Sequence, residues 1–195
     1  MPFIRKLLNT RFVLNSFQTF VGANQWKSKM YPSVFTKKGS LLDFGCSYGN
    51  TTESFLDREY WGVDIDRPMI EVARKHFTAY TNIHFVCTDI VKQEFKPNYF
   101  DHALFASASH HISDEDLGPI FDALLKNLKP GGELHFFDIF RKTDDKLTTR
   151  ILTALDQGKF IRELSEYNRF FESRNYPVAE RRIIESPKAL IQLWD

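Results

Sequence analysis

From residue 41 onward, short apolar runs alternate with stretches in which apolar residues recur at helical spacing. Such alternation predicts a mainly parallel sheet covered by helices on both faces. Five runs read as strands: from Leu41 to Phe44, from Trp61 to Asp64, from Ile83 to Cys87, from Asp101 to Ser107 and from Glu133 to Ile139. After the second strand, Asp66 has the chemistry of a helix N-cap, Pro68 is tolerated in the first turn, and Ile70, Ala73 and Phe77 form a buried stripe. Ser113-x-x-Asp116 resembles a capping box, followed by Leu117, Ile120, Phe121, Leu124, Leu125 and Leu128 on one helix face. Pro119 interrupts that pattern, so the helix is expected to start near Gly118 or to have a distorted first turn. Pro130-Gly131-Gly132 is expected to stop it. Two further helices are predicted over 145–155 and 162–171. The runs over 178–185 and 189–194, separated by Ser186-Pro187-Lys188, read as an antiparallel hairpin at the edge of a seven-stranded sheet. The stretch 91–98 is weakly patterned and reads as a turn in place of a helix.

A chain of 195 residues with 43% apolar content fits a single domain with one core. No apolar run approaches the roughly 18 residues of a membrane span, and no secretory signal pattern is present, so the expected location is the cytoplasm. Cys46 and Cys87 have no metal-ligand spacing with histidine and read as reduced structural thiols; no metal is expected. The net charge of +1 hides an asymmetry, because Arg5, Lys6, Arg11, Lys27, Lys29, Lys37 and Lys38 all precede Asp43, the first acidic residue. These basic positions interleave with Phe3, Phe12, Phe17, Phe20, Trp26 and Tyr31. Residues 1–39 are therefore expected to form a basic, aromatic helical cap, and 40–195 the main domain. The cap's charge suits a solvated face, an anionic substrate group, an anionic membrane or a transit peptide.

Candidate chemistry concentrates where the first strand runs into a glycine turn. Leu41-Leu42-Asp43-Phe44-Gly45-Cys46-Ser47-Tyr48-Gly49-Asn50 precedes Trp61-Gly62-Val63-Asp64-Ile65-Asp66, with Asp64 lying 19 residues after Gly45. A glycine turn admits close backbone approach, a helix start offers amides to an anion, and a carboxylate at this spacing accepts ribose hydroxyls. Two other readings compete. Gly45-Cys46-Ser47-Tyr48-Gly49 matches the G-x-S-x-G elbow of serine hydrolases, with Ser47 as nucleophile and His110 or His111 as base, but only a helical cap precedes it. A dinucleotide oxidoreductase would need glycines where Ser47 and Asn50 stand.

Several segments in order resemble the class I S-adenosylmethionine (SAM) methyltransferases over about residues 41–140: Asp43-x-Gly45-Cys46-x-x-Gly49, Gly62-Val63-Asp64-Ile65, Asp89, Phe100-Asp101-His102-Ala103-Leu104, His110-His111-Ile112 and Leu128-Lys129-Pro130-Gly131-Gly132. The resemblance implies a Rossmann-like α/β domain with SAM as cofactor and S-adenosylhomocysteine as product. It implies that Asp43 and the Gly45 backbone hold the methionyl amino end, Asp64 the ribose hydroxyls, Ile65 an adenine face, and Asp89 with the Ile90 backbone the adenine edge. Cys46, Ser47, Gly49, Asn50 and Ser107 complete the implied cofactor set, with Ser47 standing where the family often has glycine. Asn50 to Thr52 at the helix start would favour the cofactor's carboxylate.

The implied reaction is methyl transfer to a small-molecule acceptor, with oxygen or nitrogen as nucleophile. The alternative is a SAM-fold binding or regulatory protein without turnover. His110 and His111, beyond the fourth strand, are the candidate catalytic residues, as proton acceptors or as structural hydrogen bonders. Asp138, Arg141, Arg162 and Tyr167 read as an ordinary surface salt-bridge face or as part of a substrate wall. Nucleic acid is disfavoured as a partner, because Phe105-Ala106-Ser107-Ala108 lacks the strings of base methyltransferases.

Overall fold

The computed structural model describes residues 29–35, 37–92, 95–141, 158–185 and 192–194. The helix predicted over 145–155, the turn at 186–188 and the first 28 residues of the basic segment lie outside the described residues. Among the described residues there are seven strands: β1 (Leu41–Phe44), β2 (Tyr60–Asp64), β3 (Ile83–Cys87), β4 (Phe100–Ala106), β5 (Leu128–Ile139), β6 (Ile183–Glu185) and β7 (Gln192–Trp194). They form one sheet in the order β3-β2-β1-β4-β5-β7-β6. The first five run parallel, and β7 pairs antiparallel with both β5 and β6, as the hairpin pattern predicts. An antiparallel strand inserted beside β5 separates this arrangement from the 3-2-1-4-5-6 order of dinucleotide-binding domains.

Because side chains alternate across a strand, each central strand feeds two cores. Leu41, Leu104 and Phe137 enter one with the helix α1 (Arg67–His76) and the helical residues 29–33. Leu42, Ala103, Phe105 and Phe136 enter the other with α2 (Asp114–Asn127) and α3 (Leu164–Ser173). Near-continuous apolar strands are what a sheet buried on both faces requires. Met30, Tyr31, Val34 and Phe35 are buried in the first core, so the described end of the basic segment is part of the main packing unit. Among the described residues no helix is long and apolar enough to cross a membrane.

Local details depart from expectation in three places. The helix after the glycine turn is one 3₁₀ turn, Thr52–Phe55, with no side-chain cap. Only fifteen residues separate the end of β1 from the start of β2, and positive φ at Gly49 uses part of them in the turn. Without successive aligned turns there is little macrodipole, so the expected attraction of an anion at Asn50 to Thr52 loses its main source. Second, α2 starts at Asp114 and keeps Pro119 inside, with the Ser113 hydroxyl accepting the Asp116 amide. Third, Pro130-Gly131-Gly132 does not separate helix from strand: β5 begins at Leu128, and its register to β4 jumps between the Phe100 and His102 pairings. Gly131, at φ 78°, absorbs the excess chain there.

Candidate cofactor and acceptor site

At the carboxyl end of β1 the chain reverses through Gly45 (φ 74°), Ser47 (φ 50°) and Gly49 (φ 80°). The amides of Gly45 and Cys46 both donate to the Val63 carbonyl, tying the turn to the end of β2. A Cβ at Gly45 would stand 3.0 Å from the Ala108 Cβ, so the turn and the loop after β4 approach across a narrow gap. Cys46 turns its side chain into the core, where its Sγ would lie 2.8 Å from a Cβ at Gly62; only its backbone belongs to the mouth of the turn. Asn50 is exposed beyond it.

Two carboxylates flank this turn in different states. Asp64 Oδ2 accepts the Ser47 amide at 2.8 Å and Oδ1 accepts the Asp66 amide at 2.9 Å. A carboxylate has about four acceptor sites, so this grip leaves capacity for a diol. Asp43 is buried, and its Oδ2 accepts the hydroxyls of Thr51 at 2.8 Å and Tyr60 at 2.5 Å. Burial pushes its carboxyl up to about 6, against the pull of those two hydroxyls. The sequence pattern marks Thr51 only within the stretch Asn50 to Thr52 at the helix start, and Tyr60 lies just before the strand it predicts from Trp61.

Further along the same edge, Ile65 is 73% exposed, an uncommon state for a large aliphatic side chain directly after a buried strand. Asp89 follows β3 and folds into an Asx turn, its Oδ1 accepting the Val91 amide at 3.1 Å while Lys92 pairs with Oδ2 at 3.0 Å. The bond from Lys92 and the turn amides hold its carboxyl below the usual range. Ile90 is buried in the second core. Ser107 leaves β4 at φ 54°, and its hydroxyl meets that of buried Tyr31 at 3.2 Å.

Beside this edge, beyond β4 and β5, lies a buried polar network. His110 Nδ1 is 2.5 Å from Asp138 Oδ1, which also accepts the Ile139 amide. Asp138 Oδ2 accepts the His110 amide at 3.0 Å and the Ser109 hydroxyl. With its proton on Asp138, Ser109 accepts the Tyr167 hydroxyl at 2.8 Å. Burial raises the Asp138 carboxyl, yet the neighbouring imidazole and these donors win and hold it below the usual carboxylate range. Arg162 closes the floor by donating to the carbonyls of Ser109, Ile112 and Phe160 and pairing with Asp114 at 2.7 Å. The surface salt-bridge reading is thereby corrected for Asp138, Arg162 and Tyr167, which are all buried; Arg141 alone is exposed. Strand alternation could not reveal this, because the covering chain over 158–163 has no periodicity of its own. His111 stacks beside His110 with ring centres 4.2 Å apart, and its residue is exposed.

The hydrolase reading requires Ser47 to bond a histidine base. Among the described residues the Ser47 hydroxyl makes no bond to a histidine, and the residue contacts the Asp64 side chain through its amide.

Residues 41–132 match the family model described as a methyltransferase domain. Over these residues the chain is similar to the class I SAM-dependent methyltransferases. The chain is 28% identical over 154 residues to the phosphoethanolamine N-methyltransferase of Plasmodium falciparum, covering 64% of this chain and 58% of the relative. To the carboxy-S-adenosyl-L-methionine synthase of Actinobacillus succinogenes it is 27% identical over 172 residues, covering 78% and 70%. Among solved structures, the chain superposes on 1,6-didemethyltoxoflavin-N1-methyltransferase of Burkholderia thailandensis, with bound 1,6-didemethyltoxoflavin and S-adenosylhomocysteine, at TM-score 0.73 and 15% identity, covering 97% of this chain and 83% of that one. A Leishmania major SAM-dependent methyltransferase superposes at TM-score 0.72 and 18% identity, covering 93% and 74%. The chain spans about three-fifths of the length of the Plasmodium falciparum and Geobacillus relatives, at 58% and 60%.

Proposed function

We propose that the chain transfers the methyl group of SAM to a small-molecule acceptor through an oxygen or nitrogen nucleophile, with His110 taking the acceptor's proton. The observation that carries this reading is the buried Asp138–His110 pair at the carboxyl end of β4 and β5, next to the glycine turn. Open α/β sheets bind ligands at that end.

The turn suits a nucleoside with a methionine arm. Only glycine fits at residue 45, where a side chain would fill the gap to Ala108, so the backbone there can approach a ligand closely. Asp64, already fixed by two amides, presents its remaining lone pairs to a diol. Exposed Ile65 offers an apolar face to adenine, and Asp89 with the Ile90 backbone offers polar atoms to its edge. Asp43 engages both hydroxyls through one oxygen, which leaves Oδ1 to pair with an ammonium. The Gly45, Ser47 and Gly49 backbone and Ser107 complete the wall.

Bound SAM supplies a methyl group on a sulfonium that leaves as a neutral thioether, so the protein's work is placement and proton removal. Asp138 accepts the proton on His110 Nδ1, which makes Nε2 the basic nitrogen and steadies the imidazolium once it forms. Tyr167, Ser109 and Arg162 hold that pair in place. An acceptor with an anionic group is in keeping with the substrate in the name of the Plasmodium falciparum relative.

The test is transfer of labelled methyl from SAM to a panel of small amines, phenols and carboxylates, phosphoethanolamine included. Transfer to at least one acceptor, lost in His110→Ala, supports the assignment. Tight S-adenosylhomocysteine binding without transfer to any acceptor would favour a binding protein without turnover.

A further inference from the structure

On the first face of the sheet, four residues before the carboxyl end of β4 and so about 13 Å from it, His102 stands opposite Glu133, with His135 two residues further along β5. We propose that His102, Glu133 and His135 form a binding site for one divalent transition-metal ion of the zinc type, separate from the cofactor site.

Each residue turns one ligand atom into the same space, and these atoms lie within 4.8 Å of one another. His102 Nδ1 is 3.7 Å and His135 Nε2 is 3.6 Å from the same Glu133 oxygen, Oε2. Four-coordinate zinc, with ligands at about 2.0–2.1 Å, places its donors about 3.3 Å apart. A small inward movement therefore suffices. Two imidazoles and one carboxylate make a donor set for zinc and its transition-metal neighbours, not for calcium or magnesium, which take oxygen.

The decisive observation is the state of the nitrogens. The His102 side chain is 2% exposed, and its Nε2 lies 3.1 Å from the Lys37 carbonyl, which can only accept. Nε2 therefore carries the proton, and Nδ1 turns a bare lone pair toward a carboxylate. Among the described residues neither His102 Nδ1 nor His135 Nε2 has a hydrogen-bond partner. The bare His102 Nδ1 and Glu133 Oε2 are both acceptors, and a cation between them would satisfy both together with the unpartnered His135 Nε2. The carbonyl behind His102 is the usual outer partner of a metal-bound imidazole. Phe35 covers both rings, at 5.2 Å and 4.2 Å, while half-exposed Glu133 leaves an entry path and room for a water ligand. An ion here would clamp β4 to β5 beside the register jump and hold the segment leading into β1.

The test uses the full, untagged chain, stripped with a chelator and dialysed. Zinc should return at one ion per chain and raise the melting temperature, while magnesium does not; cobalt(II) should give visible absorption bands of low-coordinate geometry. Glu133→Gln and His135→Gln should each weaken zinc binding by at least about ten-fold while S-adenosylhomocysteine still binds, showing that the fold persists. Failure of the wild type to take up zinc overturns the proposal. So does an unchanged affinity in Glu133→Gln, which would place the ion on an exposed histidine such as His76.

Discussion

The His110 ring and the Asp138 carboxylate meet at 2.5 Å, both buried, and all four acceptor positions of Asp138 are engaged by Ser109, the two donors of His110 and the Ile139 amide. A carboxylate saturated in this way fixes which nitrogen of the imidazole is basic. His110→Ala should lower kcat by at least about 100-fold, with the S-adenosylhomocysteine Kd nearly unchanged. Comparable losses in kcat and cofactor affinity would instead return His110 to a structural part.

Asp138→Asn keeps the shape but turns an NH2 group toward donors. The variant should lose about 1.5–3 kcal/mol of stability, the usual effect of losing a buried hydrogen bond to a charged group. Chemical denaturation measures it directly. The sign of the pH effect follows from a carboxyl held below its ordinary range. Its contribution is present above the unfolded value and is lost as pH falls through the lower folded value, so the wild type's advantage over Asp138→Asn should shrink under acid conditions. A constant difference down to strongly acidic pH would contradict the network's charge assignment.

Asp64 serves the turn and the proposed ribose together. Asp64→Ala removes the acceptor for the Ser47 and Asp66 amides as well as for a diol, and should raise the S-adenosylhomocysteine Kd by about 10- to 100-fold, at roughly 1.5–3 kcal/mol per charged hydrogen bond. Asp64→Asn, which retains a carbonyl, should lose less. Calorimetric titration with both variants separates the two cases. Equal affinity in wild type and Asp64→Ala would remove Asp64 from the cofactor contact.

The sheet was legible in the sequence because its signal is periodic. Apolar runs and the Ser113 and Asp66 caps mark elements through local chemistry, and each fell within a few residues of the observed strand or helix. The glycine turn was legible for a different reason: at Gly45 and Gly49 the backbone takes conformations that side chains resist. What escaped the pattern was long-range. Asp138 and Arg162 look like surface charges until an irregular segment folds over them, and His102 and His135 look like unrelated strand residues until the register of β4 against β5 brings them together. The 3₁₀ turn in place of a helix escaped too, since Thr52–Phe55 has helix-compatible residues and only the short path to β2 cuts it off.

Gly62 permits a test of packing without touching the cofactor's polar contacts. A Cβ there would lie 2.7 Å from the Phe85 ring and 2.8 Å from Cys46 Sγ, closer than real contacts allow. Gly62→Ala should therefore destabilise the domain by about 1–3 kcal/mol through overpacking. Thermal denaturation reads the loss, and an unchanged melting temperature would mean that the ring of Phe85 moves freely aside.

Asp43 should make cofactor affinity depend on pH. Its carboxyl sits near 6 against an ordinary value of 3.8, because burial outweighs the hydroxyls of Thr51 and Tyr60. In the free protein, the folded state holds a proton between these two values that the unfolded chain has released. Stability from this group therefore falls as pH rises through that window and levels off above it. Binding reverses the preference, since an ammonium beside Asp43 favours the ionised form. Below about pH 6 the proton must leave on binding, so S-adenosylhomocysteine affinity should rise by up to about ten-fold per pH unit on approaching neutrality. Asp43→Asn retains an acceptor for both hydroxyls but has no proton to lose, and should flatten the profile. The slope assigned to Asp43 is the part that vanishes in Asp43→Asn and persists in His110→Ala. A slope that survives Asp43→Asn would place the methionine arm away from β1.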